Sequence, residues 1–363
     1  MSPKSDLSTC IFGSAIMLNQ LDAIQAEIPG VLEAKDLECI HRMRVASRRL
    51  RAAQVLFDTC LPKRRITPWE NEIKKITRSL GSARDLDIQI ETIRRFRLTV
   101  TDPRAQPGAN RLILRLLQQR ASVQKKVTKS VNNIKGSAII RLVKTNLEQF
   151  PSANPNLGES AQDYSDSLRK MAVEAIIKRM DDLLTYDSIT DQPEKKEELH
   201  AMRIAAKHLR YTLEIFAPLY AGNLKSWIKS IKQIQEELGN LHDCDVWIDF
   251  LPEFLQDEAE LTRQYYGNLR GYSRMIPGIE TFLANRQAAR QRYFTAFHDI
   301  WMEMKAKNSL HRLRSKLLHS LPIPQVEQGE TEEDLIEPMD DEESESKIVA
   351  ASETEDVEKE EQL

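Results

Sequence analysis

Apolar residues return every three or four positions along almost the whole chain, and no stretch alternates apolar with polar as a strand would. The spacing predicts a first helix over residues 7–28, stopped at Pro29-Gly30. A second helix is expected over 36–60, and a third opening at Pro68 and running through Leu80. Residues 101–108, with two prolines and a closing glycine, read as a loop before a long helical stretch over 110–150. Residues 151–160 are polar and proline-containing, as a connector would be. Beyond them the order returns: a helix near 161–186, a break at Pro193, a helix over 194–219, one through Leu238, and others to about 318. The expected fold class is all-α.

Two of these helices carry nearly the same text. IHRMRVASRRLR at 40–51 and LHAMRIAAKHLR at 199–210 share six of twelve positions, and three more are conservative. At about 100° per residue, His41, Arg44, Arg48 and Arg51 fall within an arc of roughly 80°. His200, Arg203, Lys207 and Arg210 repeat that arc, while Met43, Ala46, Leu50 and Phe57 gather on the other side of the first helix. Neither Asp nor Glu occurs over 40–57 or 199–213. Helix faces that serve only solubility mix signs to gain i,i+4 pairs, so a single-sign stripe written twice reads as a receptor for a polyanion. Arginine suits that role, because its planar fork grips phosphate oxygens in pairs and does not titrate. Two such stripes facing each other repel unless something acidic lies near them.

The repetition extends further. LGSARDLD at 80–87 matches LGNLHDCD at 238–245, and Trp69 matches Trp227 at the same offset. An internal duplication implies two pseudo-symmetric antiparallel helical bundles, here residues 1–150 and 161–320. The acidic pairs Asp85/Asp87 and Asp243/Asp245 are expected to orient neighbouring cations or cap a following helix.

Net charge is −3, but it conceals a division. Residues 326–363 hold 17 acidic and two basic side chains, which leaves 50 Lys and Arg against 38 Asp and Glu in residues 1–325. A basic body thus carries an acidic tail, poor in aromatics and expected to be disordered. The tail is a solubiliser or a docking arm for a protein partner. Within it Glu343, Glu345 and Lys347 match the ExExK signature of triphosphate tunnel enzymes by chance, with too little chain around them for a barrel. The four cysteines show no paired metal or disulfide spacing, so reduced thiols and a cytoplasmic location are expected.

Enzymatic alternatives are thinly supported. His242-Asp243 invites comparison with helical phosphohydrolases that hold a divalent metal on a His-Asp doublet, but the first repeat places Arg84-Asp85 there, and arginine is no metal ligand. No phosphate-cradling glycine loop or nucleophile elbow occurs. Nucleic acid is a rival occupant of the basic face. It is disfavoured by low aromatic content and by the lack of a recognition motif or stacking platform.

With these motifs the chain resembles the CHAD domain family, named for a conserved histidine and an α-helical make-up. The family's His-x-x-Arg-x-x-x-(Arg/Lys)-x-x-Arg pattern appears as His41, Arg44, Arg48 and Arg51, and again as His200, Arg203, Lys207 and Arg210, followed by Tyr211 and Glu214. Its Leu-Gly-x-x-(Arg/Asn)-Asp element appears as Leu80, Gly81, Arg84 and Asp85, and again as Leu238, Gly239, His242 and Asp243. The resemblance covers residues 7–318. It departs from the common arrangement in having no fused triphosphate tunnel domain and in adding the acidic tail. It implies binding of inorganic polyphosphate in a basic channel between two helical bundles, often at polyphosphate granules, and establishes no catalytic role; a non-enzymatic binder with neither cofactor nor metal is expected. The two stripes would bind the chain, with Arg84, Asp85, His242 and Asp243 in support.

Overall fold

The computed structural model describes residues 6–34, 36–61, 63–150 and 164–321, with the side chains of 63–66 set aside. The expected connector and the acidic tail lie outside these residues. Among the described residues every regular element is helical: α1 (Leu7–Ala26), α2 (Ile28–Glu33), α3 (Leu37–Leu56), α4 (Lys63–Thr99), α5 (Gln106–Gly136), α6 (Ala138–Glu148), α7 (Asp166–Leu184), α8 (Lys196–Phe216), α9 (Lys225–Tyr266), α10 (Ile276–Ala306) and α11 (Ser309–His319). Short polar side chains start several of them. Asp6 accepts from Thr9 N at 2.7 Å, Asp36 from Glu38 N at 2.9 Å and Ser165 from Leu168 N at 3.2 Å, each satisfying an amide that has no helical partner.

Similar though not identical neighbours meet in the two halves. In the first, α3 packs on α1 and α4, α4 on α5, and α1 on α6; in the second, α8 packs on α7 and α9, α9 on α10, and α7 on α11. α3 and α8 then lie against each other, as do α5 and α10. The last pairing is very close: a β-carbon at Gly108 would collide with the Met275 carbonyl oxygen, and one at Gly278 with the Ala105 carbonyl oxygen. Each glycine follows a proline in the first turn of its helix. Only residues without a side chain allow these two helix starts to meet.

One large core runs through both halves, joining Met43 and Leu50 of α3, Trp69 and Leu80 of α4, Met202 and Leu209 of α8, and Leu238 of α9. Phe12, Phe57 and Phe216 meet across the seam at ring distances of 6.0–6.2 Å. A smaller core, built on Ile93, Leu112, Trp247, Leu251 and Phe282, closes the far ends of α4, α5, α9 and α10.

Several expectations are corrected here. The third helix begins ahead of Pro68 and continues well beyond Leu80 to Thr99. Gly81 looks like a terminator, but apolar positions at Ala83, Ile90 and Ile93 keep the helical period, and their burial outweighs one glycine's propensity penalty of about 1 kcal/mol. The doubled Leu-Gly-x-x-x-Asp elements therefore lie inside α4 and α9, and their aspartates cap nothing. Residues 101–108 are not all loop, since α5 starts at Gln106. Finally, Cys10 and Cys60 form a disulfide with Cα atoms 5.2 Å apart, so the cysteines are not all reduced thiols; Cys39 and Cys244 are free and buried.

Candidate anion-binding site

The apolar sides of α3 and α8 are sealed into the core, with Met43, Leu50, Leu199, Met202 and Leu209 fully buried. That orientation turns both cationic stripes toward the seam where the two helices meet. An open cavity of about 850 Å³ lies there, lined by Arg44 and Arg48 of α3, Arg203 of α8, Asp85 of α4, and His242 and Asp243 of α9. A smaller one of about 280 Å³ lies on the other side of Arg48, lined by Arg48, Arg51, Lys207, His208, Tyr211 and Arg179. Arg48 is thus the wall common to both.

Self-repulsion between the stripes is moderated locally. The Tyr211 ring lies between them, 5.6 Å from the Arg48 guanidinium and 5.0 Å from that of Arg210. Glu214 takes Arg49 at 3.0 Å and Arg210 at 3.6 Å, tying α3 to α8. Asp85 stands 3.6 Å from Arg44. Even so, the Nε atoms of Arg44 and Arg203, at equivalent positions of the repeat, are buried with no hydrogen-bond partner among the described residues.

Crowding of like charge shows in the acid–base behaviour of the site. Burial brings the Lys207 ammonium down to about 7, helped by Arg48, Arg203, Arg44 and Arg51. Arg48 and Arg203 are also lowered, first by burial. The aspartates move the other way. Burial raises Asp85 against the pull of Arg44, and lifts Asp243 to about 6 against the pull of Arg203. Both carboxylates line the open cavity and remain exposed to it.

The two motif histidines sit beside the cavities and line neither. His41 is half-buried and lowered by burial, then by Arg84. His200 is lowered by burial, then by Arg203. Its Nδ1 lies 3.0 Å from His242 Nδ1, so one ring donates and the other accepts. Burial and the His200 neighbour bring His242 to about 4, leaving it neutral near pH 7. Arg84 holds the matching position in α4, yet it faces a separate groove with Arg120 and Asp87 and pairs with Glu38 at 3.6 Å. Arg210 lines neither cavity. Asp87 and Asp245 leave the site altogether, receiving Arg120 of α5 at 2.7 Å and Arg290 of α10 at 2.5 Å.

Several lining groups escape a motif-based reading. Gln89, Thr92 and Phe96 extend the Asp85 face of α4, and Arg286 and Tyr293 enter from α10. Steps of three and four from Asp85 would have found the first three, whereas no local signal points to α10. Gly81 and Gly239 keep the helix surfaces low beside the arginines: a β-carbon at Gly81 would lie 3.7 Å from Arg44 Nε, and one at Gly239 would meet open space. Among the described residues no three His, Cys, Asp or Glu side chains gather at metal-binding range.

Arg44 and Arg48 of one stripe and Arg203 of the other thus face one cavity of an all-helical protein. The profile of the CHAD domain matches residues 15–252, and the chain belongs to that family. The crystal structure of the CHAD domain from the plant Ricinus communis is similar in fold at a TM-score of 0.54 and 21% identity, covering 90% of this chain and 96% of that one. PptA from Streptomyces chartreusis is similar at a TM-score of 0.49 and 14% identity, covering 83% of this chain and 100% of its own. No curated protein sequence matches.

Proposed function

We propose that the protein binds inorganic polyphosphate without turning it over, along the seam between α3 and α8. The observation that carries this reading is the pair of facing stripes whose Arg44 and Arg203 retain buried, unpartnered Nε donors. Membership of the CHAD domain family supports it, since the family's pattern implies that ligand. A phosphate chain passing Arg48 from the larger cavity to the smaller would meet cations from both helices, and the continuous repeat of its charge needs no sequence-specific contact. Affinity should then fall steeply with salt as bound counterions are released. Association with polyphosphate granules would follow from such binding.

A metal-dependent phosphohydrolase would need His242 and Asp243 as ligands, and among the described residues no third His, Cys, Asp or Glu joins them at metal-binding range. The test is competition: labelled polyphosphate bound to the full chain is challenged with duplex and single-stranded nucleic acid, for wild type and for the Arg44→Glu, Arg48→Glu, Arg203→Glu, Lys207→Glu variant. Polyphosphate should resist both competitors and be lost in the variant while helical content is retained. Undiminished affinity in the folded variant would place the site elsewhere.

A further inference from the structure

α4 and α9 occupy matching places, but α9 is longer, at 42 residues against 37. Measured from the matched Asp87 and Asp245, α9 runs on nine residues more than α4 does, about two and a half turns. The overrun begins with a clasp. Glu258, 2% exposed, receives Arg111 of α5 at 2.6 Å and also Arg115. Leu251, Phe254, Glu258 and Thr262 form the buried face of α9 there. Tyr265 is the next residue on that same face, yet it is 83% exposed, and its neighbour Tyr266 is 69% exposed. The inward seam of the helix thus continues past the last element able to cover it.

The turn beyond these rings is basic, while Glu260 precedes them and holds Arg263 at 3.2 Å. Between residues 261 and 275 the chain has Arg263, Arg270 and Arg274, and no acid. All three arginines are exposed. The turn that follows is well tied. Gly267 closes α9 in the left-handed region at φ 67°, its N–H donating to Arg263 O at 2.8 Å. Asn268 donates to Tyr266 O and accepts from Arg270 N, both at 3.0 Å, and Met275 is buried at the turn's end. The two rings meet edge to face at 4.8 Å, which leaves outer ring faces open.

We propose that this tip is a second binding site, for single-stranded nucleic acid. Unpaired bases stack on Tyr265 and Tyr266, while Arg263, Arg270 and Arg274 take the phosphates on either side. Stacking rings interleaved with arginines form the usual platform for such strands, and they bind with little sequence preference because every base has a π-face. Purely phosphate ligands would use the arginines and leave the rings idle, so the exposed aromatics favour a ligand that has bases. The sequence shows no stacking motif because the two tyrosines look like ordinary helix-end residues. Only the overrun of α9 exposes them.

The test uses the full chain and a fluorescein-labelled oligothymidylate about a dozen nucleotides long, within the site sizes such platforms cover. Tyr265→Ala and Tyr266→Ala should each weaken binding roughly tenfold, whereas the double Tyr→Phe variant should bind as wild type, since stacking needs the ring and not the hydroxyl. An abasic strand of equal length should bind wild type no better than oligothymidylate binds the double alanine variant. Polyphosphate affinity should stay unmoved throughout. In the four-residue Glu variant of the α3 and α8 stripes, the tyrosine-dependent ratio should persist, which separates this site from the polyphosphate site. Oligothymidylate affinity indifferent to the alanines, or an abasic strand bound as tightly as an intact one, would overturn the proposal. So would tyrosine-dependent binding of phosphatidylglycerol vesicles or tyrosine-dependent self-association in its place.

Discussion

The two sides of the cationic seam carry the same motif with different chemistry. On the α3 side the charge is held by Arg44, Arg48 and Arg51, which stay protonated at any physiological pH. On the α8 side Lys207 stands at the position matching Arg48 and titrates at about 7, and His200 leans on a second imidazole, His242, where the α4 side has Arg84. Asp243 at about 6 adds a further group that changes charge near neutrality. One side is a fixed anchor and the other is adjustable, on the same helical frame. Matched geometry therefore does not mean matched function, because burial among like charges moves a lysine into the neutral range while leaving arginine charged.

Removing either side should separate the two roles, and this is the largest effect expected. Arg44→Glu with Arg48→Glu should lower polyphosphate affinity by roughly a hundredfold or more at every pH, since two charge-assisted hydrogen bonds disappear and two repulsions replace them. Arg203→Glu with Lys207→Glu should do the same below pH 7, with a smaller deficit at pH 8.5, where Lys207 already contributes little charge to the empty site. Affinities of both double variants at pH 6 and 8.5 decide it. Equal deficits at both pH values would abolish the distinction.

A milder probe is pH itself. A bound polyanion favours the protonated form of Lys207, so above about pH 7 the wild type must take up a proton to bind. Affinity should then fall as pH rises from 7 to 8.5, by up to about tenfold per unit for a single proton. Lys207→Arg should flatten that limb. Below pH 7 the same logic applies to His41 and His200, both lowered in the empty site, and the double His→Gln variant should lose part of the tightening expected between pH 7 and 5.5, Asp243 supplying the rest. A pH profile unchanged by either variant would make these groups structural.

Stability should respond more gently. Unfolded lysine keeps its proton to about pH 10.4, whereas folded Lys207 gives it up near 7. Between those values the unfolded chain holds more protons, so stability rises with pH; the penalty is full below about 7. Lys207→Met should therefore raise the melting temperature of the empty protein by a few degrees at pH 6 and by less at pH 9. No such pH difference would mean that the folded lysine is not strained.

The smallest effect concerns the acidic tail. Tethered near the basic body at an effective concentration in about the millimolar range, residues 326–363 should compete for the seam at low salt. Deleting them should increase nucleic-acid affinity more than polyphosphate affinity, with the gap closing as salt shortens the screening length. Equal changes for both ligands would leave the tail as a solubiliser or a docking arm.

The stripes are legible in the sequence because they are local: four cations at helical spacing, with an apolar seam opposite, need no tertiary information. The all-α class follows from the same period. Other features depend on distance. The Arg48–Tyr211–Arg210 stack joins residues from two helices far apart in sequence, and Arg286 enters the cavity from a helix with no motif of its own. Arg84 reads as part of the site because it precedes Asp85, but consecutive residues on a helix point about 100° apart, and it faces another groove. The full length of α4 is hidden at Gly81, where propensity and burial disagree and burial decides.

The bond between Cys10 and Cys60 spans 50 residues, and that interval contains the whole of α2 and α3. The anchoring stripe therefore sits inside a covalent ring, and the adjustable stripe sits on open chain. A protease that nicks the polypeptide near residue 35 would leave both fragments joined through sulfur, and a gel run without reductant would show one band where a reduced gel shows two. The anchor is thus the half of the seam that survives a backbone cut, for as long as its surroundings keep the sulfurs oxidised.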